Sequence, residues 1–163
     1  MRTITVSQPG LTRSALDLTE AGASGGRFEF HGLLKRSVRL DLGDREVTFT
    51  TTGLLGHTIR IEDAEGVLGE FRQSGILGKG EAVVDGRRYR LKRRGVLSHR
   101  FVWLDGDDTE AVRVKLGGFL RTCGTVEVAD GVAPSDAAAL IGLGLIAARR
   151  TADGDSSGGA AVT

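Results

Sequence analysis

The sequence predicts an all-β barrel of about twelve antiparallel strands, plugged along its axis by one buried hydrophobic C-terminal helix. Three observations carry that expectation. A Gly-apolar-apolar motif recurs five times, as Gly32-Leu33-Leu34, Gly53-Leu54-Leu55, Gly75-Ile76-Leu77, Gly95-Val96-Leu97 and Gly118-Phe119-Leu120, its glycines nearly evenly spaced. Between the copies, short segments alternate apolar and polar residues with period two, the pattern of strands wet on one face. Near the C-terminus, Ala137 to Ala148 reads AAALIGLGLIAA. A helix apolar on every side must be buried on every side.

Taken in order, residues 1–26 read as an N-terminal extension and linker. Met1–Val6 and Leu11–Thr19 could each form a strand, and Ala21-Gly22-Ala23-Ser24-Gly25-Gly26 has the composition of a flexible linker. The alternation is clear from Arg27 onward. Phe28 and Phe30 flank Glu29; Val38, Leu40 and Leu42 alternate with Arg39 and Asp41; Val47 and Phe49 alternate with Thr48 and Thr50. Ile59 and Ile61 enclose Arg60, Val112, Val114 and Leu116 alternate with Arg113 and Lys115, and Val126 and Val128 enclose Glu127. Turn chemistry stands where hairpins need it, at Gly43-Asp44, Asp63-Ala64-Glu65-Gly66, Asp85-Gly86 and Asp105-Gly106-Asp107-Asp108. Ten strands are expected between Arg27 and Ala129, and twelve with the N-terminal pair.

The helix is expected over 136–149. Ser135 or Asp136 suits its N-terminus, and Arg149-Arg150 would complement its dipole in a last turn. Twelve apolar residues rise only about 18 Å, too short for a hydrocarbon core of about 30 Å. Gly142 and Gly144 would let a neighbouring wall come close. The tail 151–163, TADGDSSGGAAVT, is small and polar and reads as disordered. Strands of even length with one apolar face close most economically into a barrel, which removes exposed edges. Beyond eight strands a lumen remains, and a helix about 10–12 Å across can fill it. The domain proper is therefore 27–150.

Composition limits the function classes. At 163 residues, with 40% hydrophobic and 26% charged residues, the chain suits one soluble domain. Net charge is +1, so any basic partner surface must be local. A single cysteine excludes an internal disulfide and suits a reducing cytoplasm. No apolar run follows Arg2, so no secretory signal is expected. The expected location is cytoplasmic, with peripheral membrane contact left open.

The stretch Ile59–Val128, above all FRQSGILGKGEAVVDGRRYRLKRRGVLSHRFVWLDGDD, resembles the tubby C-terminal-like superfamily. It is most similar to the small single-domain members, of bacterial type, grouped with phospholipid scramblases and LURP-one-related proteins. The resemblance covers roughly Arg27 to Arg150. It implies a twelve-stranded barrel around a hydrophobic C-terminal helix. Phosphoinositide binding by tubby domains and calcium-dependent lipid movement by scramblases belong to those families, and no ligand residue transfers to this sequence.

The strongest local chemical feature is basic. Arg88, Arg90, Lys92 and Arg94 would share one strand face, with Tyr89 and Leu91 on the other. That stripe suits anionic headgroups. The competing reading is a solvated outer face neutralised by acids on adjacent strands. Nucleic acid is disfavoured because aromatics for base stacking do not interleave with the cations. Four residues after each motif glycine stand Arg36, His57, Lys79, His99 and Thr122. His57 and His99, with His31, lack a carboxylate or thiol at ligand spacing, so no metal site is expected. Asp153-Gly154-Asp155 opens like a calcium loop but runs out of chain, and the Asp105 turn has Leu116 where a bidentate acid belongs. Cys123 has no local histidine and reads as a small buried residue. Phe101 and Trp103 read as core facing the helix. Serines lack a nucleophile elbow, and the glycine-rich segments do not open helices.

The sequence therefore points to a non-enzymatic binding module without a cofactor, touching anionic phospholipid headgroups through Arg88, Arg90, Lys92 and Arg94. The alternative is a protein-interaction or scaffold domain with no lipid ligand, whose partner is an unidentified protein. A third reading has the C-terminal helix leave the barrel and insert into membrane.

Overall fold

A computed structural model of the chain describes residues 1–10, 14–31, 37–52, 58–74, 79–95, 99–118 and 122–161, with side chains to 152. Twelve strands form the wall: β1 (Arg2–Ser7), β2 (Ala15–Glu20), β3 (Ala23–His31), β4 (Ser37–Asp41), β5 (Glu46–Thr52), β6 (Thr58–Asp63), β7 (Gly66–Gln73), β8 (Gly80–Val84), β9 (Arg87–Arg93), β10 (Arg100–Leu104), β11 (Glu110–Gly117) and β12 (Cys123–Val128). Each pairs antiparallel with its sequence neighbours, and β1 pairs with β12, so the sheet closes. One helix, α1 (Pro134–Ala161), follows.

Residues 1–26 are wall rather than extension. β1 is the closing strand, hydrogen-bonded to β2 on one side and β12 on the other. Ile4, Val6, Leu16 and Leu18 point inward and are buried. The expected linker is instead a two-residue turn, Ala21-Gly22, both at positive φ, followed directly by β3. A glycine-rich composition reads as linker in isolation. Here the neighbouring strand's ladder requires it, because a Cβ at Gly26 would strike the Asp41 carbonyl. The Asp85-Gly86 hairpin uses the same geometry, with φ of 51° and 79°, as a tight turn matched to strand twist demands.

Alternation sorts the wall as expected. Val38, Leu40, Val47, Phe49, Ile59 and Ile61 are buried, whereas Arg39, Asp41 and Arg60 face out. Twelve strands leave a lumen, and α1 fills it: Ala137–Ile141, Leu143, Leu145, Ile146 and Ala148 are all buried. Phe101 and Trp103 face the helix, both fully buried. Gly142 and Gly144 are where the wall comes closest. A Cβ at Gly142 would lie 2.1 Å from the Phe49 ring, and one at Gly144 2.7 Å from Val114.

The helix is longer than the 136–149 the sequence suggests. It opens with Pro134 at its first position, where a missing N–H costs nothing. It continues past Arg149-Arg150 to Ala161, into the tail read as disordered, so the two arginines do not end it. The Thr151 hydroxyl donates to the Ala147 carbonyl one turn back, which satisfies it within the helix. Among the described residues no helix is long and apolar enough to cross a membrane.

Candidate functional site

An up-and-down ring sorts its connections between two ends. The β2–β3, β4–β5, β6–β7, β8–β9 and β10–β11 turns lie at one end, with the N-terminus and the start of α1. The odd strands end, and the even strands begin, at the other. In the sequence, the Gly-apolar-apolar motifs fall between an odd strand and the next even one. Most of their residues, with Arg36 and His57, lie outside the described residues. Gly95 and Gly118 are described, and their φ values of 86° and 106° explain why the motif begins with glycine as a strand ends.

The basic stripe sits on β9 as alternation requires. Arg88, Arg90, Lys92 and Arg94 are exposed, while Tyr89 and Leu91 are buried. Three of the four are ion-paired: Arg88 with Glu81 at 3.3 Å, Arg90 with Asp108, and Arg94 with Glu110 at 3.1 Å. Hydrogen bonds from Arg113 first, and then from Arg94, outweigh burial and hold the Glu110 carboxyl below its ordinary range. Lys92 pairs with no acid among the described residues.

Strand pairing extends the stripe in a direction the sequence reading missed. The Arg94 N–H donates to the Arg100 carbonyl at 2.8 Å, and Arg100 is the register partner of Lys115 on β11. Arg94, Arg100 and Lys115 therefore form one row across three strands. Lys92 lies one outward position away, opposite Val102. Arg100 and Lys115 are exposed and, like Lys92, have no acidic partner among the described residues. Elsewhere outward arginines face acids in register, as Arg39 does Glu29 and Arg113 does Glu127. Like charges directly opposite on a sheet are destabilising, so the Arg100–Lys115 pair is a local cost to the fold. Pairing β10 with β11 across the Asp105 turn would have found it from the sequence.

The opposite end of β9 carries a different constellation. Asp136, in the first turn of α1, is fully buried. It accepts hydrogen bonds from Arg87 Nε at 2.5 Å, Arg87 Nη2 at 2.8 Å and the Tyr89 hydroxyl at 2.5 Å. Burial pushes the Asp136 carboxyl up, but the bonds from Arg87 and Tyr89 outweigh it and hold the group below its ordinary value. Burial and then the Asp136 contact push the Tyr89 hydroxyl up to about 12. The arrangement locks the start of the plug to the wall. Beside it a cavity of about 360 Å³ is lined by Arg87, Arg88, Asp105, Asp107, Glu110 and Asp130 among others. Its acids outnumber its bases and Arg87 is already engaged, so it is a poor anion site.

The remaining candidates separate. His31 is exposed and lies 3.2 Å from Glu29, and His99 is half-buried. Among the described residues no three of His, Cys, Asp and Glu gather as a metal set. The Asp105 carboxylate accepts from the Asp107 and Thr109 amides, each at 2.9 Å, shaping the acidic turn. Cys123 is exposed rather than buried. The inward phase of β12 belongs to Val126 and Val128, which sends Cys123, Thr125 and Glu127 outward.

Comparison of the chain with protein-family models, curated proteins and solved structures returns no match.

Proposed function

We propose that this protein is a non-enzymatic module that binds an anionic phospholipid surface through the outer face of β9–β11. The observation that carries the reading is the uncompensated group Lys92, Arg100 and Lys115, adjacent to Arg94, on a barrel whose other outward arginines largely face acids. A sheet that tolerates like charges in register is suited to an anion shared between them. The residues of the sequence-derived stripe contribute unequally: Lys92 and Arg94 belong to this group, whereas Arg88 and Arg90 are engaged by Glu81 and Asp108. The resemblance of Ile59–Val128 to tubby-like and scramblase-related domains adds support for a lipid ligand. No cofactor enters this reading.

The test is co-sedimentation with phosphatidylcholine vesicles, with and without phosphatidylserine, at low and moderate salt. Binding is expected only to the anionic vesicles and should weaken with salt. Each basic residue near an anionic surface contributes about 1 kcal/mol, so combining Lys92→Thr, Arg100→Thr and Lys115→Thr should weaken binding about 100-fold. Undiminished binding by that variant, or none by the wild type, would defeat the proposal. The second outcome would favour a protein-interaction domain, consistent with the Arg88–Glu81 and Arg90–Asp108 pairs.

A further inference from the structure

The wall of the barrel is charged unevenly around its circumference, although the whole chain carries only +1. Like charges meet in register at two places. Arg100 on β10 faces Lys115 on β11, and Asp41 on β4 faces Glu46 on β5, all four exposed. β4 and β10 are six strands apart in a closed ring of twelve, as are β5 and β11, so the two pairs sit on opposite walls. Lys79 enlarges the basic wall. It is exposed, immediately precedes β8, and stands beside Lys92 because Gly80 pairs with Leu91. Like Lys92, it has no acidic partner among the described residues. Toward the β8–β9 and β10–β11 turns the patch stops where ion pairs close, at Arg88–Glu81, Arg90–Asp108 and Arg113–Glu127. On its flank β12 presents Cys123 and Thr125, both exposed, with Thr125 in register with Lys115. On the opposite wall every outward arginine of β3–β6 is paired, Arg27 and Arg39 with Glu29 and Arg60 with Glu62.

We infer that the barrel docks side-on, with the wall of β9–β12 against an anionic bilayer and the wall of β3–β6 facing away. The inference rests on the headgroup reading above and adds its pose and the contact of β12. Charge complementarity selects the occupant. Lys79, Lys92, Arg100 and Lys115 are cations that no acid among the described residues neutralises, and an anionic bilayer presents a continuous sheet of negative charge to meet them. Four adjacent strands, each about 4.8 Å from the next, make a strip about 14 Å wide, which long side chains can bring to a flat surface despite the curvature of the ring. The Asp41–Glu46 pair is repelled by the same surface, so the field that draws in one wall turns the other away before contact. β12 enters the contact as a neutral flank. The register partners of Thr125 are Lys115 and Thr5, neither acidic, and its hydroxyl can donate to a headgroup phosphate oxygen.

Two positions at the same end of the ring read the pose. Cys123 opens β12 and Thr58 opens β6, and half the ring separates them. An environment-sensitive fluorophore on Cys123 of the full chain is compared with the same label on Thr58→Cys in a Cys123→Ser background. Both proteins are added to phosphatidylcholine vesicles with and without phosphatidylserine, and sedimentation is scored in parallel. The expected result is a blue shift for the Cys123 label on anionic vesicles, several-fold larger than any change at position 58. Loss of sedimentation on labelling Cys123, but not position 58, would support the same pose, because the label then blocks the contact. Sedimentation with equal shifts (the result of an end-on pose), with no shifts, or with a larger shift at position 58 would overturn the side-on inference while leaving the headgroup reading intact. Absence of sedimentation by the unlabelled wild type would overturn that reading, and the pose with it.

Discussion

Replacing Gly142 by alanine tests whether α1 is a close-fitting plug or a helix loosely held in a lumen. In an exposed helix this change would stabilise the protein by about 1 kcal/mol, because alanine loses less backbone freedom. Here the added Cβ would sit 2.1 Å from Phe49 Cζ and 2.4 Å from Cε2, against ordinary contacts of 3.4–4 Å. The ring must recede by more than an ångström. Phe49 is 1% exposed, and β5 is fixed by ladders to β4 and β6, so neither ring nor strand has free space to enter. Overpacking of this kind costs about 1–3 kcal/mol, and the depth of the overlap places it near the upper end. The net expectation is a loss of about 2 kcal/mol after subtracting the propensity gain. With a urea slope of about 2 kcal/mol/M, the unfolding midpoint should fall by about 1 M, followed by far-ultraviolet circular dichroism. Adding Phe49→Leu should recover part of the loss, because the two sites share one contact. Gly106→Ala, with nothing within 4 Å of the added atom, serves as the neutral reference. A Gly142→Ala variant more stable than wild type would refute the plugged-barrel packing.

The Asp136 lock gives three further expectations. Asp136→Ala leaves the buried Tyr89 hydroxyl without its acceptor, an orphan worth about 2 kcal/mol, so the melting temperature should fall by about 4–8 °C. A melting curve unchanged within a degree would show that the contact contributes nothing. In acid, a carboxyl held below its ordinary pKa gives stability that is present above the unfolded value and is lost as pH falls through the folded one. Asp136→Asn should therefore flatten the acid limb of the stability profile, and an unchanged limb in urea titrations below about pH 4 would contradict the assignment. In alkali the sign reverses. Tyr89 rises to about 12 when folded, so its contribution is full below the unfolded value near 10 and disappears as pH climbs through about 12. Tyr89→Phe should be less sensitive than wild type across that window, provided unfolding is compared at matched ionic strength.

The sequence by itself determined the architecture, because every feature it used is periodic and local. Period-two alternation decides which side chains share a face, and Asp-Gly pairs decide where hairpins turn. An all-apolar helix admits only a buried position. These signals placed Arg88, Arg90, Lys92 and Arg94 on one outer face, and Phe101, Trp103, Gly142 and Gly144 in the core, with no knowledge of neighbours. They misread Ala21–Gly26 as a linker and so set the barrel to begin at Arg27, because glycine-rich composition looks the same in a linker as in a strand that must let another backbone approach.

Tertiary structure alone decided what depends on partners distant in the chain. The closing pair of β1 with β12 unites residues 2 and 128, which no local pattern can link. Asp136 looked like a helix cap, and only the fold brings Arg87 and Tyr89 to it, 49 and 47 residues away. Which cations are neutralised is likewise a matter of register: Arg90 meets Asp108 while Lys92, Arg100 and Lys115 meet no acid among the described residues. Local preference is a property of adjacent residues and survives in the sequence as a pattern. Charge compensation is a property of residues brought together by closure of the barrel, and it exists only once it has closed.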